Sequence, residues 1–167
     1  MLNFIRRLKQ SAWAMLMVTM SASALADDHA AFGQIEFEAV DGGVASLSDY
    51  HGQIVILNLW AVWCSPCLME IPHLVALQDE LEVAEATVIG LAIDSGSASA
   101  IARFWQRRLD MEPNFPLWMG TAEQAREHFD ARIFPTTLII DRQGQLRQTL
   151  VGLQALDDFR LALAALE

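Results

Sequence analysis

Residues 54–67 read IVILNLWAVWCSPC, an apolar run that ends in two cysteines separated by two residues. A nearly continuous apolar run is typical of a central strand that is covered on both faces. After Cys67 the apolar positions change to steps of three and four, the spacing of one helix face. The stretch therefore predicts a buried strand, a turn that carries Cys64, and a helix that begins beside it.

Apolar patterns on both sides of this unit predict further strands and helices. The predicted elements lie at residues 35–45, 54–60, 71–81, 87–93, 101–109, 121–129, 136–141, 145–151 and 156–166. The order is a β-hairpin, then alternating strands and helices, then two strands and a final helix. Such an order indicates an α/β sheet flanked by helices on both faces. It matches the thioredoxin-like fold with an N-terminal β-hairpin and an inserted central helix.

The first 26 residues have the features of an export signal. A basic start precedes a short apolar core at residues 12–20, and Ala24-Leu25-Ala26 has the form of a cleavage site. We expect a signal peptide over residues 1–26 and one thioredoxin-like domain over residues 27–167, located in the periplasm. The alternative is an uncleaved N-terminal anchor, although the apolar core is shorter than the ~20 residues of a spanning helix.

Residues 27–167 are strongly acidic. They contain 21 acidic residues, eight arginines and no lysine, which gives a net charge of −13. This charge disfavours nucleic acid and anionic membrane surfaces as partners. We therefore expect no nucleic-acid binding and no stable membrane insertion, and a partner that docks by charge would be basic.

The two cysteines, Cys64 and Cys67, are the only ones in the chain. A structural disulfide is disfavoured, because a ring of four residues removes little entropy from the unfolded chain. Disulfide exchange requires an exposed thiolate with a lowered pKa, and the first turn of a helix offers free N–H groups and a positive dipole end. We therefore expect Cys64 to lie exposed at the helix start as the attacking thiol, with Cys67 one turn further on as the resolving thiol.

The charges near the cysteines are unusual for a strong oxidant. Between Trp60 and Pro72 there is no lysine or arginine, so the helix end has to stabilise the Cys64 thiolate unless Arg132 folds nearby. A dithiol is strongly oxidising when its reduced form is stabilised. The local sequence therefore favours a reductant.

Metal binding is the main alternative use of the thiols. A closed zinc site needs four ligands, and the chain has no second cysteine pair. Its histidines are scattered, at His29, His51, His73 and His128. We expect no metal and no cofactor other than a redox-active Cys64–Cys67 disulfide, with copper held by the two thiols and one histidine as the alternative.

Glu70 and Asn58 are polar residues that accompany the cysteines. Glu70 lies three residues after Cys67, so the two side chains share a helix face. If buried, Glu70 would have a raised pKa and could carry a proton to or from Cys67; if exposed, it would be a first-turn glutamate favoured by the helix dipole. Asn58 interrupts an apolar strand and would be either hydrogen-bonded beside the site or simply structural.

Two motifs in combination resemble the thioredoxin superfamily, and especially its exported TlpA/ResA/DsbE-type thiol–disulfide oxidoreductases. The motifs are the NxWAxWCxPCxxExP pattern that begins at Asn58 and the later Phe134-Pro135-Thr136-Thr137. The resemblance spans roughly residues 34–166. It implies that Cys64 is the attacking thiol and Cys67 the resolving thiol.

The resemblance also implies roles for residues around the cysteines. Glu70 matches an acidic residue suspected of proton transfer, and Pro135 matches the family's cis-proline. Phe134 and Pro135, with Trp63, would form the groove that holds an extended client chain. Asn58 falls where cytoplasmic thioredoxins carry a buried aspartate, so Glu70 would replace that proton acceptor.

The activity implied by the resemblance is reduction of disulfides in exported client proteins. Such clients include apocytochromes c, in cytochrome c maturation, and copper-site proteins, and a membrane thiol transporter would supply the electrons. Ser65-Pro66 is closer to the Gly-Pro of reducing thioredoxins than to the Pro-His of the oxidant DsbA. A disulfide oxidase or isomerase and a copper-binding thioredoxin-fold protein remain the alternatives, and a peroxidase is disfavoured because those enzymes place their reacting cysteine differently.

Overall fold

The strand and helix around the cysteines form as the sequence predicts. In the computed structural model, which describes residues 35–166, all seven residues of the strand Ile54–Trp60 are buried. The α-helix Ser65–Glu80 follows, with Cys64 as its N-cap residue. Pro66 lies in the first turn, where its missing N–H costs little. The predicted signal peptide lies outside the described residues.

Seven strands and four α-helices make up the described part of the chain. The strands are β1 (Glu36–Ala39), β2 (Val44–Ser46), β3 (Ile54–Trp60), β4 (Ala86–Ile93), β5 (Leu117–Gly120), β6 (Thr136–Ile140) and β7 (Leu146–Val151). The helices are α1 (Ser65–Glu80), α2 (Ala98–Phe104), α3 (Ala122–Phe129) and α4 (Leu156–Ala164), with a 3₁₀-helix at Leu47–Tyr50 and a π-helix at Trp105–Leu109.

These strands form one mixed sheet in the order β2-β1-β5-β4-β3-β6-β7. Strands β3, β4 and β5 are parallel, and the others run antiparallel to their neighbours. At the centre, Asn58 of β3 lies opposite Gly90 of β4 and Thr137 of β6. The end of β3 that leads to the cysteines therefore lies beside the start of β6, directly after Pro135.

Helices cover both faces of the sheet, as predicted. On one face Ile56 packs in a cluster with Leu74 of α1 and Phe159 of α4. On the other face Leu57 packs with Phe129 of α3. Burying an aliphatic or phenyl side chain of this size contributes about 1.5–3 kcal/mol, which explains why β3 is apolar at consecutive positions.

Strand β5 is an element that the sequence pattern did not predict. It has four residues, follows Pro113 and Pro116, and ends in Gly120, so residues that are typical of loops lie on both sides of a very short apolar run. It forms because β4 pairs with it on one side and β1 on the other. The helix predicted over residues 101–109 also differs, since it divides into α2 and the π-helix.

Candidate active site

Cys64 and Cys67 form a disulfide at the junction of β3 and α1. Their Cα atoms are 5.3 Å apart. The backbone N–H of Cys67 donates a hydrogen bond to Cys64 Sγ over 3.3 Å. An N–H donor at the positive end of a helix stabilises negative charge on the sulfur that accepts from it. This geometry favours Cys64 as the thiol that reacts in its anionic form.

The expectation of an exposed Cys64 is wrong for the disulfide form. Only 6% of Cys64 and 1% of Cys67 are exposed. The N-cap side chain folds back over the first turn of α1 to accept the Cys67 N–H. Both cysteines thereby join the hydrophobic cluster that contains Trp60 and Ile71. In the disulfide form, a client would have to approach the Cys64 sulfur past the residues that cover it.

Two of the three predicted groove residues, Trp63 and Phe134, lie in contact with each other, and the third, Pro135, is buried. Trp63 is 60% exposed, and its ring stands edge-on to that of Phe134 with the centroids 6.0 Å apart. The Phe134–Pro135 peptide bond is cis, which confirms that prediction. The structure therefore brings an exposed aromatic ring and the backbone before β6 to the same side of the site.

The turn after β4 fixes the loop that leads into Cys64. Ser95 Oγ accepts the N–H of Val62 over 3.1 Å and donates to the carbonyl of Ile93 over 3.0 Å. Trp63 Nε1 donates to the Asp94 carbonyl over 3.4 Å. The sequence analysis did not identify Ser95, because a serine shortly after a buried strand is too common to indicate a role at the site.

Glu70 is completely buried on α1, one turn after Cys67. Its Oε2 accepts a hydrogen bond from Asn58 Nδ2 and its Oε1 accepts one from the backbone N–H of Gln154, each over 2.7 Å. The alternative of an exposed first-turn glutamate is therefore wrong, and the hydrogen-bonded alternative for Asn58 is confirmed. Sequence reasoning missed Gln154, because it contributes only a backbone group.

Burial raises the pKa of Glu70 to about 7, although the hydrogen bonds from Gln154 and Asn58 act to lower it. Among the ion pairs of residues 35–166, none involves this carboxylate. A carboxyl group with a pKa near neutrality can both accept and release a proton at working pH. Glu70 is therefore a carboxyl group that can change its charge near neutral pH, three residues after Cys67 on the same helix.

Arg132, the candidate cation for Cys64, binds another partner. Its guanidinium donates to Asp130 Oδ1 over 3.1 and 3.2 Å, and both side chains are exposed. Within the described range, no group of three or more His, Cys, Asp and Glu side chains is arranged to hold a metal ion. A helix long and apolar enough to cross a membrane is likewise absent from residues 35–166.

Comparison with known proteins identifies the family. The AhpC/TSA family model matches residues 27–149, well over half of the chain. The chain belongs to the AhpC/TSA family. The thiol-disulfide oxidoreductase ResA of Geobacillus kaustophilus is 27% identical over 121 residues, which cover 72% of this chain and 67% of that relative. ResA of Geobacillus thermodenitrificans is 25% identical over 128 residues, which cover 77% and 71%.

Solved structures similar to this AhpC/TSA protein have the same fold. The exposed lipoprotein thioredoxin of Streptococcus pneumoniae matches with a TM-score of 0.67 and 26% identity over 78% of this chain and 98% of that one. A thioredoxin-family thiol:disulfide interchange protein of Chlorobium tepidum matches with a TM-score of 0.66 and 27% identity over 80% and 93%. The thioredoxin-like fold and the resemblance to TlpA/ResA/DsbE-type proteins are confirmed, and the protein is a thiol–disulfide oxidoreductase.

Proposed function

We propose that this protein reduces disulfides in exported client proteins through Cys64 and Cys67. The observation that carries the proposal is the disulfide at the start of α1, where Cys64 Sγ accepts the Cys67 N–H and the buried Glu70 lies one turn away. The cysteine pair itself would carry the two electrons, without a bound cofactor or metal.

The reaction would proceed in two exchange steps. The Cys64 thiolate attacks one sulfur of the client disulfide, which breaks that bond, forms a mixed disulfide and releases a client thiolate that takes up a proton. The Cys67 thiol then loses its proton and attacks the Cys64 sulfur. The mixed disulfide breaks, the Cys64–Cys67 disulfide forms, and the client leaves with both cysteines reduced.

Glu70 would accept the proton that Cys67 loses in the second step. Cys67 is almost completely buried, so bulk water has little access to its thiol. Glu70 shares its helix face and has a pKa of about 7, raised by burial. A carboxylate in this position supports attack by a thiol that would otherwise remain protonated.

Reduction is favoured over oxidation by the absence of cations from residues 60–72 and by the pairing of Arg132 with Asp130. A Cys64 thiolate stabilised mainly by the helix end does not strongly favour the reduced form, so the pair gives up its electrons readily. The clients would be periplasmic proteins, with apocytochromes c and copper-site proteins as the classes implied by the family resemblance. They would lie as extended chains against Trp63, Phe134 and Pro135, and a membrane thiol transporter would return the electrons.

Trapping of the mixed disulfide tests this proposal. Full-length Cys67→Ser, produced in its native cell envelope, should accumulate Cys64-linked clients that are released by a reducing agent and identified by mass. Cys64→Ser is the matched control and should trap nothing. Equal trapping by both variants would show that Cys64 is not the attacking thiol. A redox titration tests direction, with an expected potential nearer the about −270 mV of thioredoxin than the about −120 mV of DsbA.

A further inference from the structure

Two other elements of the fold donate hydrogen bonds to the Glu70 carboxyl group of α1, and a third is joined to it through Asn58. The loop between β7 and α4 provides the Gln154 N–H, which donates to Oε1, and β3 provides Asn58 Nδ2, which donates to Oε2. The same Nδ2 donates to Thr137 Oγ1 of β6 over 2.8 Å. Glu70, Asn58 and Thr137 are each at most 1% exposed. The group is therefore a buried polar network inside an otherwise apolar region.

Asn58 is the residue that connects this network to the client side of the site. In the antiparallel pair of β3 and β6 it lies directly opposite Thr137, and Thr137 comes two residues after Pro135. Every other residue of β3 is apolar. Burial of an amide in such a strand is unfavourable unless its hydrogen bonds are formed. The bonds to Glu70 and Thr137 meet that requirement. The positions of the Glu70 and Thr137 side chains are therefore coupled through Asn58.

Both partners of the Glu70 carboxyl group are hydrogen-bond donors. A carboxylate only accepts hydrogen bonds, whereas a protonated carboxyl also needs an acceptor for its O–H. Asn58 and Gln154 therefore favour the charged form, and burial favours the neutral form. Asn58 both orients the carboxyl group and keeps it able to ionise.

We propose that Asn58 is a positioning residue for the exchange reaction, which holds the Glu70 carboxyl group in a fixed relation to the strand that follows cis-Pro135. This inference rests on the proposed role of Glu70 as the proton acceptor for Cys67. The Nδ2 bonds of Asn58 go to Glu70 and Thr137, so Asn58 acts on the sulfur chemistry through Glu70.

Titration of the Glu70 carboxyl carbon by NMR tests the inference in the oxidised full-length protein, with Glu70→Gln used to assign the signal. The wild-type midpoint is expected at about pH 7. Asn58→Leu should move it upward by about one pH unit, because the lost bond stabilises the carboxylate. The pH profile of exchange between the reduced protein and oxidised glutathione should move in the same direction.

Thr137→Val provides a second variant that keeps the shape of the side chain. It leaves the Asn58–Glu70 bond but removes the anchor of Asn58, so we expect a smaller upward movement of the same midpoint. Thr87→Val is the matched control, because Thr87 is a buried threonine of β4 whose hydroxyl contacts Gln78 instead. Thr137→Val decides the test if Asn58→Leu does not fold.

The possible results separate this inference from the proposed function. If Glu70→Gln changes the pH profile of exchange while Asn58→Leu and Thr137→Val leave the Glu70 midpoint at its wild-type value, the positioning role of Asn58 is wrong and the role of Glu70 stands. If Glu70→Gln itself leaves the profile unchanged, the proton-acceptor role is wrong and this inference falls with it. If Cys64→Ser still exchanges, the proposed function is wrong.

Discussion

Glu70 beside the disulfide and Asp141 at the turn between β6 and β7 are both buried carboxyl groups that accept backbone N–H groups. Burial acts to raise the pKa of each. At Asp141, hydrogen bonds from the N–H groups of Gln145 and Gln143 and from Arg147, whose Nε lies 2.6 Å from Oδ2, outweigh burial and lower the pKa. At Glu70 burial prevails, and the pKa rises to about 7.

Burial and the presence of a cation separate these two regions, because Glu70 is fully buried whereas Asp141 is 8% exposed and has Arg147 beside it. The Gln145 N–H and the Arg147 guanidinium together favour the ionised form of Asp141, so this carboxylate serves as a fixed anion that closes the turn. Glu70 has the neutral amide of Asn58 in the corresponding role. A buried carboxyl group without a cation can change its charge near neutral pH, and in this protein that group lies one turn from a cysteine.

The largest expected effect separates the two regions by activity. Cys64→Ser should slow the reaction with oxidised glutathione by more than about a thousandfold, or about 4 kcal/mol in activation free energy, because the attacking sulfur is lost. Asp141→Asn should leave the rate unchanged. The rates are measured by stopped flow on the reduced proteins. A Cys64→Ser variant that reacts at the wild-type rate would contradict the assignment.

The raised pKa of Glu70 should be visible in the pH dependence of the oxidised protein's free energy of unfolding. The folded state holds a proton at Glu70 that the unfolded state has released, so this group's contribution to the free energy of unfolding falls as pH rises from 4.5 through about 7. The difference between the ordinary pKa of 4.5 in the unfolded state and the pKa of about 7 in the folded state corresponds to a loss of about 3 kcal/mol in the free energy of unfolding once the pH is above 7. Urea unfolding of wild type and Glu70→Gln over this pH range measures the difference, which should be absent if Glu70 has an ordinary pKa.

Asp141 should show the opposite pH dependence. Its pKa is lowered in the folded state, so its contribution is present above the usual value of 3.8 and is lost as pH falls through the lowered value. Asp141→Asn should destabilise the protein by about 1–3 kcal/mol at neutral pH, because the charged acceptor for Arg147 and two N–H groups is lost. Urea unfolding should give Asp141→Asn and wild type the same free energy of unfolding in acid. A difference that stays constant with pH would contradict the lowered pKa of Asp141.

Much of the fold follows from local sequence signals. Residues 54–80 are predictable because the apolar period changes at the cysteines, and α3 is predictable because Thr121 and Gln124 form a capping box at its start. Strand β5 is different. Its four residues form a strand because β1 and β4 pair with them, and that information lies elsewhere in the chain.

The site was only partly predictable for the same reason. Helix spacing places Glu70 on the same face as Cys67, but its burial depends on the loop that supplies the Gln154 N–H. No residue type marks that contribution, because any residue except proline has a backbone N–H. The exposure of Cys64 was predicted wrongly, since the N-cap side chain folds back toward Cys67.

The pH dependence of disulfide exchange tests the central claim most directly. The rate at which reduced protein resolves its mixed disulfide with glutathione is measured for wild type and Glu70→Gln across neutral pH. We predict an inflection near pH 7 in the wild type, with faster resolution above it because Glu70 is then ionised and accepts the Cys67 proton. Glu70→Gln should lack this inflection. Identical profiles for the two proteins would contradict a proton-carrying role for the buried carboxyl group.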